Sequence, residues 1–461
     1  MRTRTARTVG AVAAVGLALA GWTAPVAGSA LTGADLPECP ADALDDADGP
    51  VEVTFWYSET AVAEQAVLEL VDAYNASQDR VVVEAQNQTG GTGSTMTTLQ
   101  KYQGALDADQ LPDLVEFYEK EVVPAIDTGT LLPAEACLGA AGLDAIQPGV
   151  RAHYTVDGTY WPGYVGITQP LMYFNAEMFT AAGLDPGSPP RTLAELHDAA
   201  VALKEAGIES PIALQAITSW HVLSMLAAAG QTVFDHNDGR DGDPEEATFD
   251  NPLTHELFEW LVMMQDAGLL ASFGGDDNLL AIAAKTAAIT FGDTGQASGI
   301  AEFLEAGAPE GVTVMSAPIP SIADSEHPAV VSGPGLFIVN ESDPEVQAGA
   351  WDFMTFLHES EQVITWLTMG SYLPFQTASI SDPAVEGYLA GDELTAQLLA
   401  PGWDSLQAVD PEVPGPLLIN DATRVIDNAL QAVMFNGTAP DDAIAAANDE
   451  LDEVIDLYWG S

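Results

Sequence analysis

The sequence predicts an α/β protein of two interleaved lobes joined by a hinge, with a cleft between them. Three observations predict it. Strand and helix patterns alternate over the first third of the chain, the middle is mostly helical, and strand pattern returns near residues 285–291 and 331–339 before a helical end. Alternation at this spacing implies a mostly parallel sheet with crossover helices. A lobe that the chain leaves and re-enters needs two or three crossing segments, and the cleft beside such a hinge is where ligands bind.

The elements follow in order. Arg2, Arg4 and Arg7 precede an apolar run from Val9 to Gly21, and small residues continue to Ala30. That is the layout of a secretory signal peptide, expected to be cut near Ala30, so the protein is expected to act outside the cytoplasm. Leu19-Ala20-Gly21 resembles the start of a lipoprotein box, but Trp22 stands where the acylated cysteine belongs. Residues 31–50 are rich in Asp, Ala and Pro and read as a flexible leader. Val51 to Tyr57 alternates as a strand, and apolar residues three or four apart predict a helix from about Thr60 to Ala76. Val81–Val83 is the next strand, 94–106 a helix, and Leu114–Tyr118 a third strand. Asn175 to about Leu280 reads mainly as helix, with Thr192 as a start and Gly207 as a stop. Lys285–Phe291 and Val331–Val339 are strands, and 344–357 and 422–458 are helical. The expected division is 51–165 with 292–340 in the N-terminal lobe, and 166–291 with 341–461 in the C-terminal lobe.

Composition narrows the function. The chain of 461 residues carries 69 Asp+Glu against 12 Lys+Arg, a net charge of −57, yet 47% of its residues are hydrophobic. That apolar content is incompatible with a disordered chain. The charge excludes binding to nucleic acid by phosphate neutralisation and argues against docking on anionic lipid. The cysteines are Cys39 and Cys137 alone, too few for a Cys-based zinc module, and in an exported protein they are expected to form a disulfide. No G-x-S-x-G, H-E-x-x-H, C-x-x-C or Walker A sequence is present, so no cofactor and no motif-based catalysis is expected. The acidic run Asp235–Glu246 fails as an EF-hand in either register, since Arg240 or Thr248 falls where glycine or glutamate is required.

Several segments together resemble a family. They are Val53-Thr-Phe-Trp-Tyr-Ser58, Leu171-Met-Tyr-Phe-Asn-Ala-Glu-Met-Phe-Thr-Ala-Ala-Gly-Leu184, Pro189-Pro-Arg-Thr192, and Ala287-Ala-Ile-Thr-Phe-Gly292. Ser332-Gly-Pro-Gly-Leu336, Ala350-Trp-Asp-Phe-Met-Thr-Phe-Leu357 and Met369-Gly-Ser-Tyr-Leu-Pro374 complete the set. In this order they resemble the extracytoplasmic solute-binding proteins of ABC importers, in the branch of the maltose- and sn-glycerol-3-phosphate-binding proteins. The resemblance runs over about residues 50–460. It implies a two-lobed periplasmic-binding-protein-like fold that closes on a carbohydrate or polyol ester, delivers it to a membrane permease and catalyses nothing. A monomer is expected.

The resemblance also implies ligand-binding residues. Tyr57 ends the first strand where the family's loop faces the cleft. Tyr118 and Glu119 match a Tyr-Glu pair used by the glycerol-phosphate branch, and Trp220 matches a cleft tryptophan of the second lobe. Ser332 and Gly333 match the glycine-rich strand, and Tyr372 the tyrosine of a Gly-Tyr-Leu-Pro segment. Trp161, Asp293 and Trp403 are further candidates. Rings would stack on the C–H faces of a sugar and carboxylates would accept its hydroxyls.

This sequence also departs from the glycerol-phosphate branch. Where that branch carries an arginine before the last long helix, this chain reads Pro414-Gly-Pro-Leu-Leu-Ile-Asn420, with no base until Arg424. Its first cleft tryptophan aligns near Ile217. A neutral oligosaccharide is therefore expected rather than a glycerophosphodiester or glycerol-3-phosphate. An extracellular glycoside hydrolase using paired carboxylates is the rival from another class. The acidity itself reads as a solvated surface suited to high salt.

Overall fold

The computed structural model describes residues 36–460 apart from 90–95, 215–217, 241, 273–280, 323–330, 413–414 and 416–418. The expected signal peptide and Ile217 lie outside the described residues. Two sheets organise the molecule. The first runs β2 (Val81–Asn87), β1 (Val51–Tyr57), β3 (Leu114–Tyr118), β13 (Pro334–Val339) and β4 (Leu131–Leu132), and β7 (Tyr164–Val165) also pairs with β13. The second runs β10 (Leu270–Ser272), β9 (Ile212–Leu214), β11 (Ile289–Asp293), β8 (Pro170–Asn175) and β12 (Val314–Pro318). A hairpin of β5 (Thr155–Val156) and β6 (Thr159–Tyr160) stands apart.

Both sheets are mixed rather than mostly parallel. β1 runs parallel to β2 and β3, but β13 is antiparallel to β3, β4 and β7. In the second sheet β9, β10 and β11 are parallel, and β8 is antiparallel to β11 and β12. The antiparallel strands β8 and β13 are those by which the chain arrives from the other lobe. Residues expected in helix over 175–280 include two short strands of the second sheet, since three-residue segments carry no readable periodicity.

Helix Ala61–Ser77 buries Val67, Leu70, Val71 and Tyr74, the stripe that the spacing predicts. Pairing in the first sheet extends β2 beyond Val83 to Asn87. The helix expected from 94 begins at Thr98, where Thr97 caps it by accepting from the Gln100 amide at 3.3 Å. The C-terminal helices Asn420–Asn436 and Pro440–Tyr458 are separated by Gly437 at φ 70°.

The lobe boundaries differ from those expected. β12 pairs with β8, and helix Ala297–Glu305 packs on helix Leu394–Gln407, so residues 292–322 belong with the second sheet. Among the described residues of the 292–340 stretch, only β13 joins the first sheet. Helix Pro344–Leu357 packs on β1 and β13 and therefore belongs to the first lobe. Sheet pairing between residues far apart in the chain decides these assignments, and local sequence pattern does not encode it.

The leader is not loose where it is described. Ala41–Asp46 forms a 3₁₀ turn packed on helix Pro344–Leu357, with Leu44 buried. Cys39 is disulfide-bonded to Cys137, across 98 residues of sequence, which ties this segment to the first lobe. In the Asp235–Glu246 loop the carboxylates hold backbone. Asp238 accepts from Val233 and Phe234 amides at 2.7 and 2.9 Å, and Asp235 from Glu245 and Glu246 at 2.8 and 3.2 Å.

Three crossing segments meet between the lobes. Thr168 forms a bridge with Ser332, its amide donating to the Ser332 carbonyl at 2.8 Å, and Ile167 forms one with Leu373. Together they are the hinge.

Candidate functional site

A cavity of about 850 Å³ opens between the lobes beside this hinge. Its walls are set by the carboxyl ends of parallel strands, the place where open α/β sheets bind ligands. β1 ends at Tyr57, and the loop after it delivers Glu59. β3 ends at Tyr118, with Glu119 opening helix Glu119–Ile126. In the second lobe β9 precedes helix Ser219–Ala228, whose second residue is Trp220, and β11 ends at Asp293. The hinge segments add Ser332, Gly333 and Tyr372. Tyr118, Glu119, Trp220, Asp293, Ser332, Gly333 and Tyr372 all line the cavity.

The site is held by hydrogen bonds between its own members. Trp220 donates its indole N–H to Ser332 Oγ at 2.9 Å, so this ring is fixed by its edge. The Gly333 amide donates to Glu119 Oε2 at 3.3 Å, and Tyr154 donates to the Gly333 carbonyl at 2.6 Å. Tyr372 donates to Glu59 Oε1 at 2.5 Å. Asp427 of helix Asn420–Asn436 accepts from the Ser219 amide at 2.6 Å, anchoring the first turn that carries Trp220.

Electrostatics are dominated by acids. Burial pushes the Glu59 carboxyl up to about 7, opposed by the hydrogen bond from Tyr372 and reinforced by Asp293. Burial likewise raises Asp293 to about 6, opposed by the Gly295 amide and reinforced by Glu119. Glu119 is raised by burial, and Lys120 and the Gly333 amide pull against the shift. Glu116, behind the cavity wall, accepts from the Ser58 amide and hydroxyl at 3.0 Å, and burial raises it well above the carboxylate range. Lys120 is the one basic residue among the described lining residues.

Three expected site residues lie elsewhere. Tyr57 is 2% exposed, packs on Phe55 and donates to Glu64 Oε1 at 3.4 Å. Strand alternation sends Val53, Phe55 and Tyr57 to the core face, so the loop after the strand, not its last residue, reaches the cleft. Trp161 is buried between β6 and β7, and Trp403 is half-buried on helix Leu394–Gln407; neither is in the cavity wall. Sequence reasoning missed Glu59 and Asp427. Glu59 carried a usable signal, a carboxylate in the loop just past a strand. Asp427 carried none beyond its place on an amphipathic helix.

Glu59 gives a pH prediction. Its proton is held more tightly in the fold, at about 7 against 4.5 ordinarily. This contribution to stability is therefore full below about 4.5 and is lost as pH rises to about 7. Glu59→Gln mimics the protonated form at every pH. Its melting temperature relative to the native protein is expected to climb between pH 5 and 8, by the equivalent of roughly 1–3 kcal/mol. A difference that stays constant over this range refutes the assignment.

Known proteins share this fold. The family model described as bacterial extracellular solute-binding protein matches residues 69–390. The sn-glycerol-3-phosphate-binding periplasmic protein UgpB of Yersinia pseudotuberculosis is 25% identical, over 85% of this chain and 90% of that protein. Among solved structures, the cyclic alpha-maltosyl-1,6-maltose binding protein of Arthrobacter globiformis has a TM-score of 0.71 at 22% identity, covering 89% of this chain and 100% of that one. UgpB of Mycobacterium tuberculosis in complex with glycerophosphocholine has a TM-score of 0.70 at 19% identity, covering 89% of this chain and 98% of that one. With the family model spanning most of the chain and two lobes closing around one cleft, this chain belongs to the bacterial extracellular solute-binding proteins.

Proposed function

We propose that the protein captures a carbohydrate in the interlobe cleft, outside the cytoplasm, and delivers it to the membrane permease of an ABC importer. The carrying observation is the cleft wall itself, where Tyr118, Trp220 and Tyr372 stand among Glu59, Glu119, Asp293 and Asp427. Aromatic faces and hydrogen-bond acceptors are what the C–H faces and hydroxyls of a sugar require. The relatives that bind maltose-like oligosaccharides support this reading. The relatives named for glycerol-3-phosphate support a phosphorylated polyol instead. The charge of the wall favours a neutral oligosaccharide over that second reading. Arg424, the only base near the segment where the glycerol-phosphate branch carries its arginine, bonds Glu450 at 2.9 Å and Asp421 at 3.4 Å on the surface. A dianionic phosphate would thus meet carboxylates and Lys120 with no guanidinium fork.

A thermal-shift screen of mono- and oligosaccharides with glycerol-3-phosphate and glycerophosphocholine tests the proposal. A sugar is expected to raise the melting temperature by mass action, and the glycerol phosphates are not. A response to the glycerol phosphates alone would overturn it. Incubated oligosaccharides should be recovered intact, because the role is capture; cleavage products would establish the hydrolase.

Trp220→Ala is expected to weaken sugar binding by roughly 1–3 kcal/mol while leaving the melting temperature of the free protein little changed. The half-buried ring contributes more to the cleft than to the core. Unchanged affinity by calorimetry would remove Trp220 from the binding surface.

A further inference from the structure

The acids of the cleft come from both lobes, and among the described lining residues Lys120, beside Glu119, is the one base set against them. Glu59 and Glu119 stand on the first lobe, Asp293 and Asp427 on the second. Glu59 is 4% exposed, with Tyr372 as its hydrogen-bond donor, and Asp293 Oδ1 accepts from the Gly295 amide at 2.7 Å. The ion pairs of Arg80, Arg151 and Arg424 lie on the surface, at Asp45, Asp144, Asp421 and Glu450. Closing the lobes on an uncharged solute strips water from carboxylates that face one another, and like charges in a drying cleft repel. Burial first, and then Asp293 acting on Glu59 and Glu119 acting on Asp293, hold both carboxyls above the ordinary carboxylate range. Three aromatic rings, Tyr118, Trp220 and Tyr372, share the same wall, and their faces attract a cation.

Resting on the carbohydrate reading, we infer that the cleft contains a subsite for a protonated amine between Glu59 and Glu119 of one lobe and Asp293 of the other. An amino-sugar unit within an otherwise neutral oligosaccharide is then bound more tightly than the same unit carrying a hydroxyl. The ammonium donates charge-assisted hydrogen bonds to carboxylates that a hydroxyl satisfies more weakly, and it cancels the repulsion that opposes closure. The cavity of about 850 Å³ leaves room for neighbouring neutral units. The negative field of the whole chain, −57, also draws a cation toward the site.

Calorimetry on matched pairs tests this. The probes are glucose with glucosamine, galactose with galactosamine, mannose with mannosamine, and α- and β-linked glucose disaccharides with their 2-amino analogues. Each amine is also offered N-acetylated, which keeps the bulk and removes the charge. For each skeleton that binds, the amine is expected to bind roughly tenfold tighter at low salt. The advantage should vanish on N-acetylation and shrink at molar salt. In Asp293→Asn and Glu59→Gln, shown folded by their melting transitions, the amine-to-neutral ratio should fall toward one. Neutral members that bind as well as or better than the amines overturn the inference and leave the carbohydrate reading intact. A preference that survives both substitutions also overturns it. No binding by any member, neutral or amine, overturns the carbohydrate reading and this inference with it.

Discussion

Gly333→Ala is expected to destabilise the protein by roughly 3–5 kcal/mol and to abolish ordered closure of the cleft. Gly333 has φ +129°, a conformation that side chains rarely adopt, and a Cβ there would lie 1.8 Å from the Gly166 carbonyl oxygen. The obstacle is backbone of the neighbouring crossing segment, so no rotamer change relieves it. Pushing the segments apart would break the Thr168 amide bond to the Ser332 carbonyl and the Gly166 amide bond to the Pro334 carbonyl, 2.8 and 2.9 Å long. It would also move Ser332, and with it the anchor of the Trp220 indole. Gly104 is the control. It lies on helix Thr98–Asp107, and a methyl group there would meet nothing within 4 Å, so Gly104→Ala should stabilise by about 0.5–1 kcal/mol. Urea midpoints of the two variants measure both effects. A Gly333→Ala protein with native stability would mean that the crossing segments are not the rigid hinge described.

Gly333 also shows what the sequence could and could not reveal. The glycines near Ser332 were legible as a motif, and Gly333 does line the cleft. Its requirement, however, is clearance from Gly166, a contact between segments far apart in the chain. The same limit explains the rest. β1, β3 and helix Ala61–Ser77 were readable because their periodicity is local. β9 and β10 were not, because a run of three residues is too short to show a strand or a helix period. Tyr118, Glu119 and Trp220 were legible through the family resemblance, with Asp293 as a further candidate, and all four line the cleft. Tyr57 was misplaced by one pleat, and Glu59, two residues on, occupies the position expected of it. The lobe boundaries were misread because β12 and β13 part company, one going to each sheet, across a stretch with no distinguishing pattern.

The melting temperature is expected to rise by about 5 °C or more between low salt and molar NaCl. The chain carries 69 acids and 12 Lys+Arg, so most carboxylates have no base with which to pair. The arginine pairs seen on the surface, such as Arg80 with Asp45 at 3.2 Å and Arg424 with Glu450 at 2.9 Å, are exposed and contribute little. Repulsion among the remaining carboxylates opposes the compact state, because unfolding lets them separate. At about 1 M salt the Debye length falls to about 3 Å, shorter than typical spacings between surface charges, and most of this repulsion disappears. The buried carboxyls respond differently. Glu59 and Glu116 are 4% and 2% exposed and little screened, so their contribution should follow pH rather than salt. Melts at fixed pH over a salt series therefore isolate the surface. Binding of a neutral sugar over the same series should change far less than the melting temperature, since no formal charge is neutralised when it docks. A melting temperature that is flat or falls with salt would reject self-repulsion as the consequence of the charge, and the acidity would then need a cause other than adaptation to a saline medium.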